Sequence, residues 1–337
     1  MSGGGRAPHA EGDQKQPHDV VQGLLVVSAE EMASVVSLAD AVEIQRRAFV
    51  EYSGGLISNP AHTVLAIPQG TAVITPAWLN RTGDLGLKAL TAYPENARGD
   101  RPVNQAVVVI FDERTGAPAA VLDGAWITAV RTGVAAALGA SALARTDTTS
   151  LAMLGSGPVA YWAVLATCRV RPIEAIRIWS RDITNAEKLA AKLSHVITQQ
   201  RIEPVSTIDK AVRGADAVVT ATSATTTLID AEHIRPGSHV SSLGDNELGL
   251  RLLVRARVIV DSLKTCWIEA PDLASAQNDC HGGEVHVAGE LGDVLSGRRV
   301  GRRTSEDITV FKSTGLGFQD VALGGEIVRR VRQARSP

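Results

Sequence analysis

The sequence predicts an α/β protein in two parts, an α+β region followed by a doubly wound parallel sheet, and three observations carry that reading. Beyond Thr149 short apolar strands alternate with helical patterns, which builds a parallel sheet covered on both faces. Between His62 and Asp123 the pattern is one of β-like runs divided by turn residues, as in an antiparallel or mixed sheet. The 337 residues are 45% apolar and only 4% aromatic, with 31 Gly. Short βα turns use Gly, and buried strands use Val and Ile. At ~150 residues per domain the length allows about two domains.

In chain order, residues 1–22 are polar and rich in Gly and Pro, with too few apolar side chains to offset the entropy of ordering them, and are expected to be a disordered leader. Order begins with Leu24 to Val27, followed by Ser28 and Glu31 at capping-box spacing. Leu38, Val42, Phe49 and Tyr52 recur at helical spacing before Gly54 and Gly55 stop the helix. Strands are predicted at Thr63 to Ile67, Thr71 to Thr75, Leu85 to Tyr93, Gln105 to Phe111 and Ala119 to Leu122, the last two joined by a hairpin turn at Asp112 to Gly116. An Ala-rich helix runs from about Ala125 to Ala144. The alternating half then offers strands at Ser150 to Leu154, Ala175 to Trp179, Ala217 to Thr222, His239 to Leu243 and Val258 to Val260, with helices at Pro158 to Thr167 and Thr184 to Leu193. From Val310 to Val331 the spacing is helical again.

Several function classes are excluded. With 34 Lys plus Arg against 36 Asp plus Glu, the chain lacks the basic surplus of a nucleic-acid binder. Cys168, Cys266 and Cys280 cannot form a disulfide framework, so a reducing cytoplasm is expected. No apolar run reads as a membrane span, and the N-terminus has no signal-peptide apolar core. Cys280, His281, Glu284 and His286 lack a second pair at zinc spacing, so no metal is expected.

One motif points to chemistry. Gly155-Ser156-Gly157-Pro158-Val159-Ala160 is G-x-G-x-x-A between a strand and a helix, the context that marks a Rossmann dinucleotide site. The first Gly permits the turn, the second admits a pyrophosphate, and the small third residue lets helix and strand pack closely. The anion then meets the unpaired N–H groups and dipole of a helix N-terminus. At the end of the next strand Ser180, Arg181 and Asp182 face the expected adenosine ribose. An Arg there accommodates the 2′-phosphate of NADP, whereas an acidic residue serves NAD, so NADP(H) is favoured over NAD(H), with Asp182 as the competing ribose ligand.

The chain also resembles the ornithine cyclodeaminase/mu-crystallin family. The resemblance rests on Gly86-Leu87-Lys88, Thr115 to Pro118, Val121 to Gly124, Thr128 with Arg131-Thr132, the Gly155 turn, Gly289 to Asp293, and Thr309 to Ser313, in order across residues 25–335. It implies a Rossmann domain, 136–307, inserted into a substrate-binding and dimerisation domain, 23–135 plus 308–337, in a homodimer. It further implies chemistry at an amino-acid carbon bonded to nitrogen. Arg131 and Lys88 would hold a substrate carboxylate, Lys88 could also move a proton, Arg131 and Thr132 would meet the cofactor, and Asn104 and Gln105 would lie near the nicotinamide, Gln105 toward the substrate. The glycine turn (Gly155, Ser156, Gly157, Pro158 and Val159), the strand ends Thr220, Ala221, Thr222, Leu243 and Gly244, and Lys312 with Ser313 complete the implied dinucleotide contacts. A guanidinium fork suits a carboxylate, and burial can tune a Lys for proton transfer.

Two departures matter. Where many members carry an Arg for the substrate carboxylate this chain has His62, a weaker and pH-dependent partner or a packing residue at the sheet edge. The loop after His239 to Leu243 reads Gly244-Asp245-Asn246-Glu247-Leu248, about four residues shorter than in cyclodeaminases, where an Asp serves ring closure. Asp245 and Lys88 are therefore the two candidates for handling the proton. The expectation is an NADP(H)-dependent oxidoreductase acting on the C–N bond of an α-imino or α-amino acid. The alternatives are a cyclodeaminase or opine-type dehydrogenase, and an NADPH-dependent binding protein with little turnover.

Overall fold

The computed structural model describes residues 23–278 and 284–336, so the leader expected at 1–22, and Cys280 and His281, lie outside the described residues. The first sheet contains β1 (Leu25–Val27), β2 (Ile57–Ser58), β3 (Thr63–Ile67), β4 (Gly70–Leu79), β5 (Asp84–Ala92), β6 (Asn104–Phe111) and β7 (Pro118–Asp123). Its order is β1-β7-β6-β5-β4-β2 with β3 also on β4, and every pairing is antiparallel except β1 with β7. Asp112 accepts from the Arg114 and Thr115 amides, and Gly116 at φ 73° completes the turn between β6 and β7.

Two helices separate β1 from β2. Ser28 caps α1 (Ala29–Val35) by accepting from the Glu31 amide, but the capping box does not close, because the Glu31 carboxylate pairs with Arg335 at 2.7 Å. Before α2 (Leu38–Ser53), Ser37 and Asp40 do form a full box, and the helix buries Ala41, Ile44, Phe49 and Tyr52. After β7, Asp123 caps α3 (Gly124–Leu143). This helix is long and apolar enough to cross a membrane, which the sequence reading did not anticipate, yet 72% of its most apolar stretch is buried inside the protein. Its run of Ala and Gly lets neighbouring helices approach: at Gly133 a Cβ would lie 2.5 Å from the Ala163 amide nitrogen.

The second sheet is wholly parallel, in the order β10-β9-β8-β11-β12-β15-β13-β14. It contains β8 (Ser150–Leu154), β9 (Ala175–Trp179), β10 (Arg201–Val205), β11 (Ala217–Thr220), β12 (His239–Ser242), β13 (Arg257–Val260), β14 (Val287–Glu290) and β15 (Thr309–Lys312). The helices α4 (Pro158–Val170), α5 (Ile183–Ser194), α6 (Ile208–Val212), α7 (Leu250–Arg255), α8 (Cys266–Glu269), α9 (Pro271–Asn278) and α10 (Leu291–Leu295) fall between its strands. The α/β class expected from sequence is therefore observed.

The boundary expected at 308 is not where the parallel sheet ends. Thr309–Lys312 forms β15, buried between β12 and β13, and the helix α11 (Gly317–Arg335) starts only after a short turn. Four residues, of which only Val310 and Phe311 are apolar, are too few to show a period, so a buried strand there reads like a first helical turn. β10 escaped for the opposite reason: at the sheet edge, Arg201, Glu203 and Pro204 leave no apolar run. From β15 the chain crosses back, and α11 packs on β4, β5 and α2 of the first sheet. That crossing brings α11 beneath Lys88.

Candidate active site

Lys88 lies on β5, directly opposite Thr75 of β4 and Val108 of β6, so its side chain shares the inner face with the fully buried Val108. There its Nζ meets Asp320 Oδ2 of α11 at 2.7 Å. Arg131, on α3, donates from Nε to Asp320 Oδ1 at 3.0 Å and from Nη1 to Gln319 Oε1 at 3.3 Å. All three charged groups are buried. Burial, with Arg131 close by, pushes the Lys88 ammonium down to about 8, against the upward pull of Asp320. Two cations share one carboxylate, so the cluster is short of negative charge.

The turn before α11 joins this cluster to the parallel sheet. Gly315, at φ 76°, lies so close to Arg131 that a Cβ would come within 2.5 Å of Nη1. Asp261, buried at the end of β13, accepts from the Thr314 amide at 2.7 Å, the Gly315 amide at 2.9 Å and the Ser313 hydroxyl at 3.0 Å. His62 docks on the same turn, with Nε2 2.8 Å from the Gly315 carbonyl oxygen. Its amide donates to Glu269 Oε1 at 3.0 Å, and its Nδ1 lies 3.7 Å from the same oxygen. His62 is therefore brought to the site, with both ring nitrogens facing oxygens of the protein.

The opposite wall is the C-terminal edge of the parallel sheet. The Gly155 amide bonds the Trp179 carbonyl, the Ala221 amide that of Leu154, the Leu243 amide that of Thr220, and the Ser313 amide that of Ser242. These strand ends therefore lie side by side along one edge of the sheet, whose strand order reverses between β8 and β11, the place where doubly wound sheets take their ligands. Gly155, at φ 124°, has the Ala221 carbonyl oxygen too close to leave room for a Cβ. Gly157 meets the opposite requirement: nothing lies within 4 Å of its missing side chain. It caps α4 without any side-chain hydrogen bond, and Pro158 follows in the first turn, so no side chain caps the first amides of the helix. Nearby on α3, which packs along α4, the Thr132 hydroxyl is buried and has no hydrogen-bond partner among the described residues. An orphaned hydroxyl, an uncapped helix and an open glycine fit a dinucleotide pyrophosphate.

Several expected contacts have other work. The register puts Asn104 on the Lys88 side of the sheet but Gln105, opposite Thr91, on the outer face, so Gln105 does not join the site. The buried Lys312 ammonium bonds Asp272 Oδ2 at 2.7 Å and reaches the carbonyls of Gly244 and Asp245, so it holds the loop from behind and does not present its charge to a ligand. The Ser313 hydroxyl is held by Asp261 and that of Thr220 by Glu247. Asp182 caps α5, accepting from the Thr184 amide at 3.0 Å and its hydroxyl at 2.9 Å, which lowers its pKa. Ser180 accepts from Ser156 at 2.9 Å, and Arg181 is exposed beside it. Asp245 is exposed too. Among the described residues no group of His, Cys, Asp and Glu is placed to hold a metal.

The family model for the ornithine cyclodeaminase/mu-crystallin family matches residues 22–334. The chain belongs to that family. Among curated members, a Delta(1)-pyrroline-2-carboxylate reductase of Bacillus cereus is 30% identical over 311 residues, 88% of this chain and 94% of the relative. The solved Delta(1)-pyrroline-2-carboxylate reductase of Thermococcus litoralis, in complex with NADH and L-proline, is 28% identical with a TM-score of 0.89, covering 92% of this chain and 98% of the other. An archaeal alanine dehydrogenase dimer with bound NAD has a TM-score of 0.86 at 28% identity, covering 93% and 97%. Within this family frame, the residues that sequence reading passed over are Asp320, Gln319, Glu269 and Asp261. Asp320 had a legible signal, a carboxylate inside the apolar stretch from Leu316 to Leu323; the other three had none.

Proposed function

We propose that the protein is an NADP(H)-dependent oxidoreductase that reduces the C=N bond of an α-imino acid, the reverse reaction being oxidation of an α-amino acid. The observation that carries this reading is the sharing of Asp320 by Lys88 and Arg131, which leaves one buried positive charge for a substrate carboxylate to balance. The Arg131 fork binds that carboxylate, and Lys88, ionised at neutral pH yet close to its titration, holds the proton that the imine nitrogen takes up. A bound nicotinamide dinucleotide supplies the hydride. Asn104 lies on the side of the sheet that would face it, and the Gly155 turn, α4 and Thr132 would hold its pyrophosphate. Preference for NADP(H) is supported by the exposed Arg181 and by Asp182, whose carboxylate is engaged as a helix cap. The reductases among the relatives favour a cyclic imino acid as substrate. Cyclodeamination draws no support, since Asp245 is exposed on a loop only three residues long between Leu243 and Glu247.

The proposed functional unit is a homodimer, as in the archaeal alanine dehydrogenase. On the outer face of the first sheet Val26, Leu65, Ile74, Trp78 and Val107 are all exposed, Val26 at 70% and Leu65 at 62%. A contiguous apolar face of this kind calls for a partner, here a second copy. The free thiols of Cys168 and Cys266 suit the reducing cytoplasm. The test is NADPH and NADH oxidation by the purified protein with cyclic ketimines, and with α-keto acids plus amines. Oxidation with the cyclic imino acids supports the reading, and none with any substrate overturns it. Ammonia release from ornithine or lysine without accumulation of reduced cofactor would select the cyclodeaminase.

A further inference from the structure

We propose that Glu247 is a positioning residue that sets the width of the dinucleotide crevice by tying together the two loops that form its floor. The inference rests on the dinucleotide reading above. Glu247 is fully buried, and its carboxylate is reached by five donors of two loops: Thr222 N and Oγ1 at 2.8 Å each on Oε1, and Thr220 Oγ1 at 2.5 Å, Gly244 N at 2.8 Å and Ser242 Oγ at 3.1 Å on Oε2. Among the described residues no cation contributes a bond, so the carboxylate is stabilised by oriented neutral donors alone. Thr220 and Thr222 lie at the end of β11, whereas Ser242 and Gly244 lie at the end of β12.

The two oxygens divide the work. Each receives one backbone N–H, from Thr222 on Oε1 and from Gly244 on Oε2. A hydroxyl can rotate to accept, but a backbone N–H cannot. An amide in place of the carboxylate therefore has no orientation that serves both loops. Gly244 is matched to this brace, since a Cβ there would come within 2.6 Å of the Glu247 carboxyl carbon. Lys312 supports the same loop from the other side through the Gly244 and Asp245 carbonyls. The short loop after β12 thus has its geometry fixed from within, although it carries few residues of its own.

The test compares wild type, Glu247→Gln and Ser242→Ala for NADPH binding by fluorescence titration, for steady-state kinetics, and for thermal melting with and without NADPH. Glu247→Gln is expected to raise the KM and dissociation constant for the dinucleotide by about tenfold or more, the loss of one charge-assisted bond. The KM for the imino acid, and kcat at saturating dinucleotide, stay within about twofold of wild type. Ser242→Ala, which removes one side-chain donor to Glu247 and keeps the backbone, gives a smaller rise in the same constant and remains informative if Glu247→Gln does not fold. A role confined to stability predicts lower melting with the dinucleotide constants unmoved, and that result, in either folded variant, overturns the proposal. Failure of wild type to bind NADPH or NADH overturns the dinucleotide reading itself, an outcome distinct from unaltered binding by the variants.

Discussion

The two walls of the candidate site bury charge in opposite ways. Under the mixed sheet, Lys88 and Arg131 share the single carboxylate of Asp320, and burial beside a second cation pushes Lys88 down to about 8. At the edge of the parallel sheet, the Glu247 carboxylate is surrounded by five neutral donors, three hydroxyls and two amides. Beside it Lys312 and Asp272 are matched one to one at 2.7 Å. A buried charge left under-compensated invites a ligand or a proton, whereas a satisfied one fixes shape. The difference separates the groups that should act on substrate from those that only hold the backbone.

The largest effect is expected at the under-compensated wall. Lys88→Ala should lower kcat/KM for imine reduction by about 10²–10³-fold, the range of a lost general acid, while NADPH binding is retained. Comparable turnover by this variant would move the proton to another group and remove the contrast between the walls. Next comes Asp320→Asn. Asp320 is the group that raises the Lys88 pKa, so its loss should move the titration below about 8. In wild type, reduction should be steady below about pH 8 and fall above it as Lys88 loses its proton. In Asp320→Asn that fall begins at lower pH. Breaking a buried pair costs about 3–5 kcal/mol, and release of the Lys88 proton offsets part of it, so a melting curve across about pH 6 to 9 should show the variant recovering stability toward the alkaline end.

How much of this was legible in the sequence differs between the walls in the same way. The parallel half announced itself, because buried strands are short apolar runs and the Gly155 turn needs a conformation at φ 124° that glycine supplies. Lys88 and Arg131 were reachable through the motifs around them. Asp320 is marked in the sequence as a carboxylate inside an apolar stretch, but only the return of α11 under β5 shows that this group, 232 positions beyond Lys88, is its partner. A motif gives order along the chain but not the direction of side chains, so it does not reveal that the Lys312 ammonium is bonded to Asp272 and the Ser313 hydroxyl to Asp261. Gln105 shows the same limit, one residue of strand register placing it on the outer face, away from Lys88.

A smaller effect is expected at the adenosine end. Arg181→Ala should raise the KM for NADPH by about tenfold and leave that for NADH nearly unchanged, as loss of a single phosphate contact does. Equal effects on both would mean that Arg181 meets something other than a 2′-phosphate, and NAD(H) would become the better assignment.

The smallest effect discriminates most sharply between the two candidates for the proton. Asp245→Asn should leave reduction within about twofold of wild type. Asp245 is exposed, and it is its backbone carbonyl, 3.3 Å from the Lys312 ammonium, that the structure fixes. An amide of the same shape leaves that carbonyl and the loop in place, so any large loss must come from the carboxylate acting on substrate. A pH profile separates the cases further. If Asp245 carried the proton, the variant would lose its activity. If Lys88 carries it, the fall near pH 8 persists unaltered in Asp245→Asn and shifts only in Asp320→Asn, which locates the proton donor on the under-compensated wall.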